Sequence, residues 1–226
     1  MNVYHIVAGG PIANIPNLKQ YDHRDVRWIG VDRGVLYLLE SGIIPDFAFG
    51  DFDSISEKER QRLNEMLTNI NIFPSEKDKT DSEIGIDFAL SQKNVHEIVL
   101  FGATGGRLDH LFGNVHLLFK ALKKGAMAKI IDCQNEVSIY QSGTYTIEEQ
   151  ERYRYISYLP FSEEVTGLTL QGFKYPLINC HIKRGSTLCI SNELIHSVGT
   201  FSFENGILMM IRSCDEKKSV SVSKGR

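Results

Sequence analysis

An α/β domain built on a mainly parallel sheet, followed by an all-β domain of sandwich or barrel type, is the fold class that this chain of 226 residues predicts. Two observations carry the prediction. Through the first half, short apolar runs ending in Gly or Asp alternate with stretches of helical periodicity, the mark of strands joined by covering helices. Beyond Asp132 the runs become short, rich in β-branched and aromatic residues, and are separated only by turn residues.

The first-half strands, in order, are VYHIVAGG, VRWIGVD, PDFAFGD, NINIFP and EIVLFGATGG. Helical spacing aligns Leu63, Met66, Leu67 and Ile70 on one segment, and Leu108, Leu111, Phe112, Val115, Leu118, Phe119 and Leu122 on another. A further run, AKIID, ends at Asp132 and closes a first domain of residues 1–132. In the second domain, residues 133–226, the expected strands are VSIY, TYTI, YRYISYLP, VTGLTL, STLCIS and TFSFENGILMMI, with a polar tail from about residue 213. Within the last run, Asn205-Gly206 predicts a two-residue hairpin turn.

Bulk properties exclude several function classes. A hydrophobic content of 42% and a charged content of 23% fit an ordinary folded chain. A net charge of -3 argues against a dedicated nucleic-acid binder, which carries a basic surplus. No apolar run approaches the roughly 18 residues of a membrane span. The opening MNVYHIVAGGP has neither the basic leader nor the apolar length of a signal peptide. Cys133, Cys180, Cys189 and Cys214 form no CxxC pair and read as reduced thiols, so the expected location is cytoplasmic.

Polar residues gather where the predicted parallel strands end, the edge at which such sheets bind ligands. Gly9-Gly10-Pro11 follows the first strand, Asp32-Arg33-Gly34 the second, GDFDSIS the third, KDKTDSE the fourth and GATGGRLDH the fifth. In an extended segment Asp51 and Asp53 project to one side, roughly 6.5–7 Å apart. That spacing suits one Mg²⁺ shared with phosphate oxygens. The alternative reading is a helix cap, in which SISE supplies a capping box and Asp51 has no task. Thr80 and Glu83 have capping-box spacing too, and Asp81 falls in the first turn, where the helix dipole favours an anion. Capping does not require Asp78. Gly105-Gly106 can bring backbone N–H groups close to an anion, and Arg107 can clamp phosphate as a planar fork. Asp109 and His110 follow in the first helical turn. Neither GxxxxGK[ST] nor GxGxxG occurs, so this is neither a P-loop nor a dinucleotide fingerprint. A rim rich in acids accepts a polyphosphate only with cations between them, which points to a Mg-nucleotide complex.

GDFDSIS, KDKTDSE and GATGGRLDH, in this order, together with GFKYPL (172–177) and ISNE (190–193), resemble the thiamine pyrophosphokinases over nearly the whole chain. The resemblance implies a Rossmann-like N-terminal domain, a C-terminal β-sandwich and a homodimer. It implies transfer of pyrophosphate from ATP to the hydroxyl of thiamine, giving thiamine diphosphate and AMP. The positions matching the family's Mg²⁺ aspartates are Asp51, Asp53 and Asp81, with Asp32 and Asp78 beside them. Arg33, Thr80, Gly105, Gly106, Arg107, Asp109 and His110 fall on the ATP and phosphate side. Ser191 and Asn192 match residues near thiamine, in a cleft shared with the partner subunit. One departure stands out: animal members carry a tryptophan after this Ser-Asn pair, whereas the sequence here reads ELIHSVGTF.

Overall fold

The computed structural model describes residues 2–50, 71–73 and 78–215. In chain order these form β1 (Asn2–Val7), β2 (Val26–Val31), α1 (Gly34–Glu40), β3 (Phe47–Phe49), β4 (Asn71–Phe73), α2 (Asp81–Ser91), β5 (Val95–Phe101), α3 (Leu108–Lys123) and β6 (Met127–Ile131). There follow β7 (Asn135–Glu148), β8 (Tyr155–Pro160), β9 (Glu164–Gln171), β10 (Leu177–Lys183) and β11 (Val198–Ser213). The predicted helix around Leu63 to Ile70 lies outside the described residues.

Strands β6, β5, β1, β2, β3 and β4 lie side by side in that order, all parallel. Because β1 is central, its side chains alternate between two covered faces. Ile6 packs with Ile29, Ile98, Leu100 and Leu118 on the face covered by α2 and α3. Val7 packs with Trp28, Leu38, Val99 and Phe101 on the face of α1. Burial on both faces explains why these strands read as continuous apolar runs.

The expected change of character after Asp132 occurs, and the sheet continues through it: β7 pairs antiparallel with β6. Val137 and Ile139 of β7 belong to the core of the parallel half. Farther along, Tyr158, Leu168, Phe173, Phe201, Leu208 and Met210 form a second core among β-strands alone. One edge of β11 pairs with β7, and its other edge is shared by β9 and β8.

Three strand expectations are corrected. VSIY and TYTI are parts of one strand, β7, because Gly143 is carried within its pairing with β11. Asn205-Gly206 makes no hairpin; it sits inside β11 at a register shift between Phe203 and Ile207. Gly206 has φ 99°, and a Cβ there would meet the Glu164 carbonyl oxygen at 2.4 Å. The Asn-Gly pair thus reports a positive-φ bulge where β11 changes partner from β9 to β8, not a chain reversal. STLCIS is a turn segment. Its alternation comes from one buried residue, Cys189, between exposed Leu188 and Ile190, and it ends on left-handed Ser191, φ 58°. Among the described residues, no helix is long and apolar enough to cross a membrane.

Candidate active site

The chain runs from β1 to β2 on one side, while β5 lies on the other, so the order reverses between β1 and β5. A crevice opens at the carboxyl ends of strands at such a reversal. Here the two loops touch: Ala8 N–H donates to the Phe101 carbonyl and Gly10 N–H to the Gly102 carbonyl, each at 2.9 Å. Gly102 has φ 63°, and a side chain there would place Cβ 2.3 Å from the Ala8 oxygen. Only glycine permits this approach.

Between the loops lies a cleft of about 460 Å³. From the end of β2 it receives Asp32 and Arg33, and from the start of α2 Thr80, Asp81 and Ser82. The β5–α3 connection adds Thr104, Gly106 and Arg107, and α3 itself adds His110 and Asn114. Of the residues the sequence singled out, Asp32, Arg33, Thr80, Asp81, Gly106, Arg107 and His110 therefore share one cavity. Gly105 stands just outside the lining, with its backbone against the Asn14 side chain. Asp78 is exposed and does not line the cleft. Asp51 and Asp53 lie outside the described residues.

The local chemistry of each group follows from its backbone. Asp32 adopts φ 49°, a left-handed conformation uncommon outside glycine that costs of order 1 kcal/mol. Its N–H donates to the Phe49 carbonyl at 2.9 Å and its carbonyl accepts from Val35 N–H at 3.2 Å, which hold the strained residue at the rim. Thr80 caps α2: its hydroxyl accepts from Glu83 N–H at 3.3 Å. The capping box is only half closed, because Glu83 instead accepts from Lys120 of α3 at 2.9 Å. Asp81 is the informative residue. One of its carboxylate oxygens is buried and has no hydrogen-bond partner among the described residues. A buried anionic oxygen without a donor is costly, and a cation in the cleft would satisfy it.

Arg107 and Asp109 pair through both ends of the guanidinium fork, with Nε–Oδ1 at 3.1 Å. Arg107 thereby holds the Asp109 carboxyl down at about 2. Asp109 also accepts from the His110 N–H at 2.9 Å, so it organises the first turn of α3 and does not line the cleft. Both partners are exposed, at 74% and 62% of their side chains. An exposed pair of this kind is weakly held, so the fork is able to turn to a phosphate.

Ser191 and Asn192 do not line this cleft. Asn192 is 2% exposed. Its side-chain oxygen accepts from the N–H groups of Tyr175 at 3.0 Å and Glu193 at 2.9 Å, and its amide donates to the Tyr175 carbonyl at 2.8 Å. ISNE and GFKYPL are thus bound to each other through one asparagine. Ser191 N–H donates to the Ser157 hydroxyl at 2.9 Å.

Sequence reading missed Ser82, Thr104 and Asn114. Asn114 is buried and donates to the Ala103 carbonyl at 3.1 Å. The available signal was its position one helical turn beyond His110, a polar residue interrupting an apolar helix face.

A glycine-lined crevice at a sheet reversal, carrying arginines, a capped helix start and a carboxylate oxygen without a donor among the described residues, has the make-up of an anion-binding cleft in the α/β class. Comparison with known proteins narrows this. The model of the thiamin pyrophosphokinase catalytic domain matches residues 18–130, and that of the thiamin pyrophosphokinase vitamin B1 binding domain matches residues 144–208. A thiamine pyrophosphokinase of Bacillus subtilis is 54% identical over 215 residues, 95% of this chain and 100% of its own. The crystal structure of thiamine pyrophosphokinase from B. subtilis superposes with a TM-score of 0.93 at 53% identity, covering 95% of this chain and 100% of that one. That of the Geobacillus thermodenitrificans protein gives 0.90 at 55% identity, covering 95% and 99%. The chain belongs to the thiamin pyrophosphokinase family.

Proposed function

We infer that this chain acts as a thiamine pyrophosphokinase, moving the terminal diphosphate of ATP to the hydroxyl of thiamine and releasing AMP. Family membership supports the activity. The observation that carries the assignment to this cleft is Asp81, whose buried oxygen lacks a partner among the described residues beside a glycine-lined anion crevice. The donors that line the cleft, Asp81 with Asp32 at the rim, fit Mg²⁺; the resemblance to the family adds Asp51 and Asp53 to the set, with Asp78 near them in sequence outside the cleft lining. Bound there, Mg²⁺ would neutralise phosphate charge.

The remaining work is alignment, which dominates phosphoryl-type transfer. Gly106 and the start of α3 offer N–H groups to phosphate oxygens, as do Thr80 and Ser82 at the start of α2. Arg33 and Arg107 bring positive charge to the same space, so that AMP leaves from a stabilised position. His110 and Asn114 flank the nucleotide along α3.

Thiamine is assigned to the side of Ser191 and Asn192. Tyr175, Ile178, Leu188, Ile190 and Ile195, within residues 175–195, are all exposed. Exposed apolar side chains in this half support a homodimer in which one subunit's Ser-Asn motif closes on the partner's cleft. The reading includes a Rossmann-like domain of residues 1–132, a β-sandwich domain of residues 133–226, and a cytoplasmic location. Its test is AMP release from Mg-ATP with thiamine, run beside hydroxymethyl-dihydropterin as the competing alcohol. Turnover with thiamine alone is expected; turnover with the pterin and none with thiamine overturns the reading.

A further inference from the structure

Outside the cleft, one buried acid is hydrogen-bonded to a residue of the cleft lining. Asp132 follows β6 and is 6% exposed. Its Oδ1 accepts from the N–H groups of Gln134 and Asn135, both at 2.7 Å, and from the Asn135 amide at 3.1 Å. Its Oδ2 accepts from the Thr104 hydroxyl at 2.7 Å and from the Asn135 amide at 3.2 Å. The acceptor capacity of the carboxylate is filled, so its geometry is over-determined. The Asp132 carbonyl accepts from the Arg152 guanidinium, whose other nitrogen donates to the Tyr21 hydroxyl at 2.5 Å. The next residue, Cys133, donates its N–H to the Asn14 carbonyl at 2.9 Å.

Thr104 is the only one of these partners that lines the cleft. It lies between Gly102 and Gly106, in a loop whose glycines offer little rotational resistance of their own. Gly105 lies close against Asn14: a side chain there would collide with the Asn14 amide at 1.7 Å. The loop is therefore held between the Asn14 turn and the Asp132 corner, and both of those are tied to each other through Cys133.

We propose that Asp132 is a positioning residue for the triphosphate: it fixes the Gly102–Arg107 loop through the Thr104 hydroxyl without touching substrate. The proposal rests on the ATP-dependent reading of the cleft. A charge-assisted hydrogen bond suits this task, because it is shorter and stiffer than a neutral one.

The test is a double-mutant cycle on Thr104→Val and Asp132→Asn, with Thr104→Ser as the conservative control. Thr104→Val is expected to raise KM for ATP about tenfold, with kcat within about twofold and KM for thiamine unchanged. Thr104→Ser restores the wild-type value. Asp132→Asn raises the same KM about threefold or more, and the double variant is no worse than Thr104→Val alone. In substrate-free protein, amide exchange over residues 102–107 accelerates in both single variants. Additive effects, an unchanged KM for ATP in Asp132→Asn, or equal rises in both KM values with a lower Tm would overturn the proposal. Should Asp132→Asn fail to fold, the Val and Ser variants decide it through exchange in the substrate-free loop. Unaltered exchange in Thr104→Val sinks the clamp even if the enzyme makes AMP. Accelerated exchange in Thr104→Val, beside a wild type that forms no AMP, sinks the functional reading and leaves the clamp standing.

Discussion

The two halves of the chain treat their motif residues in opposite ways. In the parallel half, Thr80 and Asp81 at the start of α2, and Gly106 and Arg107 just before α3, line an open cleft at the strand ends. In the β-rich half, Asn192 is equally prominent as a motif residue, yet its side chain is committed to the backbone of Tyr175 and Glu193. The first set forms a surface that a ligand completes. The second forms a joint that is complete already. A motif therefore marks a constrained position, and the hydrogen-bond inventory decides whether the constraint serves ligand or fold.

The largest test of that contrast is Asp81→Asn. Removing the charge from a position whose buried oxygen lacks a partner among the described residues should lower kcat about 10²–10³-fold, with the melting temperature within about 3 °C of wild type. Steady-state AMP release and calorimetry measure the two quantities; a large fall in Tm with a normal rate would move Asp81 to the structural class. Asn192→Ala should act first on stability. Losing three part-buried side-chain bonds should cost about 2–4 kcal/mol in urea unfolding, with Tyr175 loosened. An Asn192→Ala protein of unchanged stability would break the comparison.

The smallest test asks whether an unpartnered polar atom alone marks a site. His5 also has a buried ring nitrogen without a partner among the described residues. Unlike Asp81 it is enclosed by rings, with Trp28 at 4.8 Å and Phe101 at 5.5 Å. Burial lowers its pKa from 6.5 to about 4. The folded state thus resists protonation that the unfolded chain accepts. Stability is full above about pH 6.5 and falls as pH drops toward 4, by up to about 1.4 kcal/mol per pH unit. Urea unfolding at pH 6 and pH 5 should show this slope, and His5→Phe should flatten it while leaving turnover at pH 7 unchanged.

Much of this was legible in the sequence, for physical reasons. Parallel strands buried on both faces leave continuous apolar runs, and helix starts leave Thr-x-x-Glu spacing, so the strand ends and the cleft residues could be found together. What stayed hidden depended on partners distant in the chain. Nothing local tells that Glu83 turns to Lys120, that Asp132 holds Thr104, or that Asn192 is sealed against Tyr175. Asn205-Gly206 misled because one dihedral requirement, φ above zero, serves both a hairpin and a bulge.

Strand β11 carries a consequence for synthesis. It is the last strand of the described chain, yet it sits inside the sheet, pairing with β7 along one edge and with β9 and β8 along the other. Ile207, Met209 and Ile211 also pack against the core of the parallel half. On the ribosome, the β-rich half must wait with three strand edges open until residues 198–213 emerge, and a nascent chain halted before them exposes those edges to other chains. A stop codon after Asp215 should be tolerated far better than one before Val198.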